Sequence, residues 1–140
     1  MSELPPVGAH LVTPRGWYNH HGIHIGHGRV VHYSGFCEWF HRGPVEEVSL
    51  EEFTLGQPYW VKKNRRQRFT AAEIVTRARS RLGENSYDLF RNNCEHFCEW
   101  CVAGRSWSAQ AEAWLKFPFV TLMALLRRGA PRTTTVALQA

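Results

Sequence analysis

One cysteine in this chain has the setting of a nucleophile. Cys94 lies in the stretch NNCEHF at residues 92–97. It begins a set of side chains spaced i, i+3, i+4 and i+7, the spacing of one helical face: Cys94, Phe97, Cys98 and Cys101. We therefore expect Cys94 in the first turn of a helix, with an asparagine as N-cap. The free N–H groups and the positive dipole end of a helix favour a thiolate, so we expect a lowered thiol pKa. The competing interpretation is a small buried core residue.

A thiol nucleophile also needs a base that removes its proton and a polar group that orients the base. The segment Tyr18–Tyr33 contains five histidines. Its alternation of apolar and polar residues on both sides of a Gly-His-Gly sequence predicts a β-hairpin. The candidate base is His20, and the candidate orienting residue is His32, twelve positions later.

The register of this hairpin decides which histidines share a face. A two-residue type I′ turn pairs His32 with Ile23 and puts it on the face of His21. A three-residue turn pairs His32 with Gly22 and puts it on the face of His20. We favour the second register, because it collects apolar residues on the opposite face and gives Gly22 a role as room beside an imidazole. A slip of one residue would reverse every side chain.

These residues resemble a known family. The pattern HxGIxIGxGxVVH from His20 to His32, followed by NCEHF at 93–97, is similar to the lecithin:retinol acyltransferase-like (LRAT-like) family, a permuted branch of the NlpC/P60 papain-like superfamily. The resemblance covers residues 8–104. It implies an α+β fold, with an antiparallel sheet packed against helices and the papain-like order circularly permuted, since the histidine strands precede the cysteine helix.

The resemblance also implies a Cys-His-His site. Cys94 would be the nucleophile, His20 the general base and His32 the orienting partner, with no cofactor and no metal. The reaction would pass through a thioester, taking an acyl chain from a glycerophospholipid and passing it to an amine, an alcohol or water. Animal members often carry Trp at the position of His21, which leaves His21 open as an alternative base.

Two other functions remain open. The same triad cleaves amides, so a cysteine amidase or peptidase of the NlpC/P60 type is the first alternative. A non-catalytic module that binds lipid or a protein partner is the second. A hydrophobic groove would favour lipid, and a polar open cleft would favour peptide. A reactive Cys94 with a low pKa would count against the binding module.

Length and composition set limits on the class of protein. The 140 residues predict one domain, with a core at about 8–104, a helical extension at 105–128 kinked at Pro118 and a flexible tail at 129–140. The N-terminus has no signal-peptide pattern, so the four cysteines are expected as thiols rather than disulfides. The longest near-apolar run, Phe117–Leu126, is too short to span a bilayer. We expect a cytoplasmic or peripheral membrane protein.

The charge favours an anionic partner without choosing one. The formal net charge is +5 and the pI about 9.3. The basic run Lys62–Arg68, with Arg77 and Arg81, suits anionic lipid, nucleic acid or plain solvation, and we consider nucleic acid the less fitting partner. Zinc at Cys98-x-x-Cys101 is disfavoured, because both thiols lie on the buried helix face.

The remaining elements follow from periodicity and capping patterns. We predict strands at 8–12, 45–48 and 58–61, a short helix at 50–55 and a longer helix between Thr70 and Gly83. Residues 34–44 are expected as a loop with three exposed aromatic side chains: Phe36, Trp39 and Phe40.

Overall fold

The computed structural model describes residues 3–34, 43–88 and 92–105, together with Lys116 and Leu126. In these ranges an antiparallel sheet has the strand order β4-β3-β2-β1-β5. The strands are β1 (His10–Arg15), β2 (Tyr18–Gly26), β3 (Arg29–Tyr33), β4 (Val45–Ser49) and β5 (Trp60–Lys62). The helices are α1 (Leu50–Thr54), α2 (Ala71–Ser80) and α3 (Cys94–Ala103). The predicted α+β class is confirmed.

The β2–β3 hairpin has the favoured register. Gly22 pairs with His32, so the histidine arrangement expected from that register is confirmed. The predicted three-residue turn is wrong, because His27 (φ 52°) and Gly28 (φ 70°) are both left-handed, as a two-residue type I′ turn requires. A register shift between His24 and Gly26 reconciles the two: the extra residue, Ile25, forms a β-bulge.

The sheet has two covered faces. On the first, which we call the α3 face, Ile23, Val31 and Tyr33 pack against Phe97 and Cys98 of α3. On the second, the α1 face, Leu11, Val30 and Phe53 form a smaller core. Because side chains alternate along a strand, neighbouring residues of β2 lie on opposite faces.

Capping residues place the ends of α3. The Asn93 side chain accepts a hydrogen bond from the backbone N–H of His96, and Nδ1 of His96 accepts one from the backbone N–H of Asn93. Gly104, with φ 75°, ends the helix in the left-handed conformation. The N-cap and the stop predicted from the sequence are thus confirmed, and Cys94 is the first helical residue.

The other predicted elements are present with shifted ends. Ser49 and Thr70, which the sequence indicates as caps, are the N-cap residues of α1 and α2. The first strand runs through Pro14 instead of stopping before it. Pairing of β1 with β5 ends at Val12, so Pro14 lies where β1 is an edge strand and its missing N–H removes no ladder bond.

The chain divides into two compact units, Met1–Ser108 and Ala109–Ala140. In the second unit the structure describes Lys116 and Leu126, both helical and exposed. The predicted kink, the tail at 129–140 and the aromatic loop at 35–42 lie outside the described residues.

Gly22 provides space for Phe53 and Val30 rather than for an imidazole. A Cβ at this position would lie 2.6 Å from Val30 Cγ1 and 2.7 Å from Phe53 Cε1. We expect Gly22→Ala to lower the free energy of unfolding by about 2 kcal/mol, the usual cost of overpacking. Urea unfolding measures it.

The double variant Gly22→Ala/Phe53→Leu is the control for this cause. Removing part of the crowding ring should recover some of the loss, so the two substitutions should be less destabilising together than the sum of the single variants. Strictly additive losses would rule out the contact between residues 22 and 53 as the source.

Candidate active site

His20 and His32 form a buried pair on the α1 face. Nε2 of His20 lies 2.6 Å from Nδ1 of His32. Nε2 of His32 lies 3.1 Å from Oε1 of Glu46. The Phe53 ring closes the other side, with its centroid 5.3 Å from that of His20 and 5.9 Å from that of His32. Three adjacent strands, β2, β3 and β4, therefore hold one line of polar contacts from a carboxylate to His20.

The order of these contacts determines where the ring hydrogens lie. A carboxylate only accepts, so His32 carries its hydrogen on Nε2 and donates it to Glu46. Nδ1 of His32 is then an acceptor, and Nε2 of His20 must donate to it. The remaining nitrogen of His20, Nδ1, carries a bare lone pair. This atom is buried and has no hydrogen-bond partner among the described residues, as suits a general base waiting for a proton.

Both rings are held in the neutral form. Burial lowers the pKa of His20 well below its ordinary value, and the neighbouring His32 and Arg15 lower it further. Burial also lowers the pKa of His32, although the charge and hydrogen bond of Glu46 oppose that shift. The lone pair on His20 is consequently free at neutral pH.

Cys94 lies at the start of α3 and packs on the α3 face. Burial raises the pKa of its thiol to about 12. Hydrogen bonds from the backbone N–H groups of His21, Glu95 and Cys94 itself favour the thiolate but do not compensate for burial. The lowered pKa expected from the helix N-terminus is therefore wrong, because desolvation outweighs the helix effect.

Cys94 contacts β2 at His21, the residue that follows His20 of the histidine pair. The sulfur is at the backbone N–H of His21, and the preceding residue, His20, carries the pair. Pairing between β2 and β3 ends at Gly22 and His32, while His20 and His21 continue to pair with β1. The structure thus brings His20 and His32 together and places the Cys94 sulfur at the backbone N–H of the next residue, His21. The sulfur makes no hydrogen bond to Nδ1 of His20.

A second histidine pair lies on the α3 face. Nδ1 of His21 is 2.7 Å from Nε2 of His10. Nε2 of His21 is 3.8 Å from Glu95, and Nδ1 of His10 is 3.8 Å from Glu99. The ammonium of Lys62 joins the two carboxylates, at 3.3 Å from Glu95 and 3.0 Å from Glu99. We call these five side chains the α3 network.

One lysine offsets part of the negative charge in the α3 network. Burial lowers the pKa of His21 to about 4, and burial, with His21 and Lys62, lowers the pKa of His10 well below its ordinary value. Burial alone would lower the pKa of Lys62, but its hydrogen bond to Glu99 and the charge of Glu95 raise the pKa overall. Two neutral imidazoles therefore lie beside an ammonium shared by two carboxylates. The Nδ1 atom of His21 is already paired with His10.

Sequence reasoning missed Glu46 and most of the α3 network. Glu46 follows a loop, so only its pairing opposite His32 across the sheet reveals its role. Glu95 and Glu99 did carry a signal. Two acidic residues four apart on a helix with a largely apolar surface indicate buried carboxylates that require a cation.

The remaining histidines have structural contacts. His24 receives the backbone N–H of Gly28 on Nε2 and lies 3.1 Å from the Pro6 carbonyl through Nδ1, so it supports the turn. His96 belongs to the α3 cap, which confirms its structural role, and His27 belongs to the turn. In the described part of the chain no group of three His, Cys, Asp or Glu side chains is arranged to hold a metal ion.

Comparison with known sequences identifies the family of this chain. The sequence model of the Lecithin retinol acyltransferase family matches residues 3–107. The chain belongs to this family. Two members named Lecithin retinol acyltransferase, from Bos taurus and Rattus norvegicus, are each 26% identical to it, over 129 and 132 residues. The matches cover 73% of this chain but 56% of each relative, so the chain spans little more than half of their length. An acyltransferase-type function is supported at the level of the family.

The buried thiol predicts that the rate of alkylation has no plateau on the acidic side. Below a pKa of about 12 the thiolate fraction rises with pH, so the rate of Cys94 alkylation by iodoacetamide should increase about tenfold per pH unit. Peptide mass spectrometry after short pulses between about pH 5.5 and 8 measures the rate, with free glutathione treated in parallel. A rate plateau on the acidic side of this range would reveal a preformed thiolate–imidazolium pair and contradict the neutral pair described here.

Proposed function

We propose that the protein is a thiol-dependent acyltransferase or phospholipase A-type enzyme in which Cys94 is the nucleophile, His20 the general base and His32 the residue that orients it. The observation that carries the proposal is the bare Nδ1 lone pair of His20, fixed by the hydrogen bonds to His32 and Glu46. His20 directly precedes His21, whose backbone N–H donates to the Cys94 sulfur.

The raised pKa of Cys94 and the lowered pKa of His20 determine how the first half-reaction proceeds. Because the thiol is protonated and His20 is neutral at rest, the proton moves from the sulfur to Nδ1 of His20 as the sulfur attacks the ester carbonyl. The backbone N–H groups near the sulfur, those of His21 and Cys94, are the candidate donors to the oxyanion. The carbon–oxygen bond then breaks, and His20 returns the proton to the departing alkoxide. The products are a lysophospholipid and an acyl thioester on Cys94.

The second half-reaction reverses the roles. An amine, an alcohol or water loses its proton to Nδ1 of His20 and attacks the thioester carbon. The carbon–sulfur bond breaks, and the thiolate recovers the proton from His20. A buried site suits this sequence, because the thioester is shielded from bulk water until an acceptor enters.

A glycerophospholipid is the proposed acyl donor. The support is the membership of the Lecithin retinol acyltransferase family, whose name specifies a lecithin donor for the two relatives. Among the described residues no helix has the length and apolar character to cross a bilayer. We propose that the protein meets its lipid by peripheral contact.

An acyl adduct is the direct test. After incubation with a mixed-chain phosphatidylcholine, intact-protein mass spectrometry should show an adduct of one acyl mass on the wild-type protein. Hydroxylamine should remove it, because it cleaves thioesters, and Cys94→Ala should not form it. The adduct mass identifies the chain taken. Absence of any adduct on a folded wild-type protein would overturn the lipid donor and favour amide cleavage.

The histidines should differ in how strongly they affect adduct formation. His20→Ala removes the base and should slow the reaction by about a thousandfold, the usual range for general-base loss. His32→Asn keeps a polar partner and should slow it by about tenfold. His27→Asn is the matched control, because it changes an exposed turn histidine to a residue that tolerates the left-handed conformation.

Single-turnover kinetics with the same donor measure these rates. Equal losses in His20→Ala and His27→Asn would contradict the assigned base. A loss in His21→Gln as large as that in His20→Ala would transfer the role to His21. Circular dichroism of each variant separates a chemical effect from unfolding.

A further inference from the structure

Uncompensated positive charge is concentrated on one surface. Four cations of the described chain have carboxylate partners: Arg29, Lys62, Arg79 and Arg81. Arg77 stacks on the Trp100 ring, with 3.8 Å from its guanidinium carbon to the ring centroid. Arg15 donates a hydrogen bond to the backbone carbonyl of Phe53. Five further cations in the described part of residues 3–105 have no ion pair: Lys63, Arg65, Arg66, Arg68 and Arg105. The basic run read from the sequence is thereby corrected, since Lys62, Arg77 and Arg81 are already engaged.

Two adjoining depressions hold four of these cations. One, of about 610 Å³, is lined by Arg66, Arg68 and Arg105 beside the C-terminal end of α3. The other, of about 420 Å³, includes Lys63. Gln67 lines both, so the depressions are neighbours, and no carboxylate lines either of them. An anionic ligand would meet positive charge without competition from the protein's own acids.

Apolar side chains are exposed beside the same cations. Val7 and Val61 line the second depression and are 49% and 42% exposed. Large apolar side chains with this exposure, contiguous with basic residues, are typical of surfaces that enter a lipid–water interface.

We infer that this surface, composed of Val7, Val61, Lys63, Arg66, Arg68 and Arg105, docks the protein on an anionic phospholipid membrane. The cations would contact lipid phosphates, and Val7 and Val61 would enter the headgroup layer. The choice of a lipid partner rests on the proposed function, while the location of the surface rests on the charges and exposures above.

The observations favour lipid over nucleic acid. Base recognition on single strands uses aromatic rings for stacking, whereas the exposed apolar residues of this surface, Val7 and Val61, are both aliphatic. Aliphatic side chains beside arginines match an amphiphile, which has an anionic head and an apolar body.

The docking surface is separate from the chemistry. Arg105 follows the C-terminal end of α3, and Cys94 begins the helix, so the two ends are roughly 14 Å apart along its axis. Docking therefore raises the local concentration of donor lipid without occupying the site of Cys94.

Vesicle sedimentation tests the inference without any reaction. The wild-type protein should sediment with phosphatidylcholine vesicles that contain phosphatidylglycerol, and much less with pure phosphatidylcholine vesicles. Each basic residue near a membrane contributes about a fivefold change in binding, so Arg66→Gln/Arg68→Gln should weaken binding more than tenfold. Added salt should weaken wild-type binding as well.

The matched control is Arg29→Gln/Arg79→Gln, which removes two positive charges from the β3–β4 side, where both contact Glu47. It should bind vesicles nearly as the wild type does. Cys94→Ala should also bind as the wild type does, so a failure of the acyl-adduct experiment leaves this test intact.

Three results would overturn the inference. Equal binding to vesicles with and without phosphatidylglycerol would remove the electrostatic basis. Equal weakening in the two double variants would show that net charge, and not this surface, matters. Tighter binding to an RNA oligonucleotide than to vesicles, lost in Arg66→Gln/Arg68→Gln, would assign the surface to nucleic acid.

Discussion

The alternation of side chains along β2 is the constraint from which the rest of the site follows. His20 and His21 are neighbours in the chain, yet they lie on opposite faces of the sheet and join different histidine pairs. One pair is supported by Glu46 and ends in a bare lone pair. The other connects to the carboxylates of α3. A shift of one residue in the hairpin would exchange the two environments, so the bulge at Ile25, which sets the register, also sets the chemistry.

The α3 network shows what keeps the helix α3 in place. Buried carboxylates are costly to desolvate, and Glu95 and Glu99 are tolerated because Lys62 from the edge strand β5 lies between them. Asn64 adds a hydrogen bond to Glu99 at 2.7 Å. These polar contacts are directional, whereas the apolar contacts around Phe97 allow sliding. The helix is therefore fixed in one position against β1 and β5, and Cys94 is fixed with it.

Much of this arrangement could be predicted from the sequence, and the failures have physical causes. The hairpin register, the caps of α2 and α3 and the pairing of His20 with His32 follow from local periodicity and from chemistry within a few residues. Glu46 and the contact of His10 with His21 depend on pairing between strands distant in sequence, which no local pattern encodes. The thiol pKa was misjudged for a related reason: the helix N-terminus is a local feature, but the depth of burial that outweighs it results from the whole fold.

The high pKa of the Cys94 thiol affects how readily peroxides oxidise this residue. Peroxides attack thiolates far faster than thiols, and the first product of that attack, a sulfenic acid, can proceed to irreversible forms. At neutral pH the buried Cys94 is almost entirely a thiol, and burial raises the pKa of Cys98 and Cys101 in the same way. The resting protein thus keeps its sulfur in the form least open to oxidative damage.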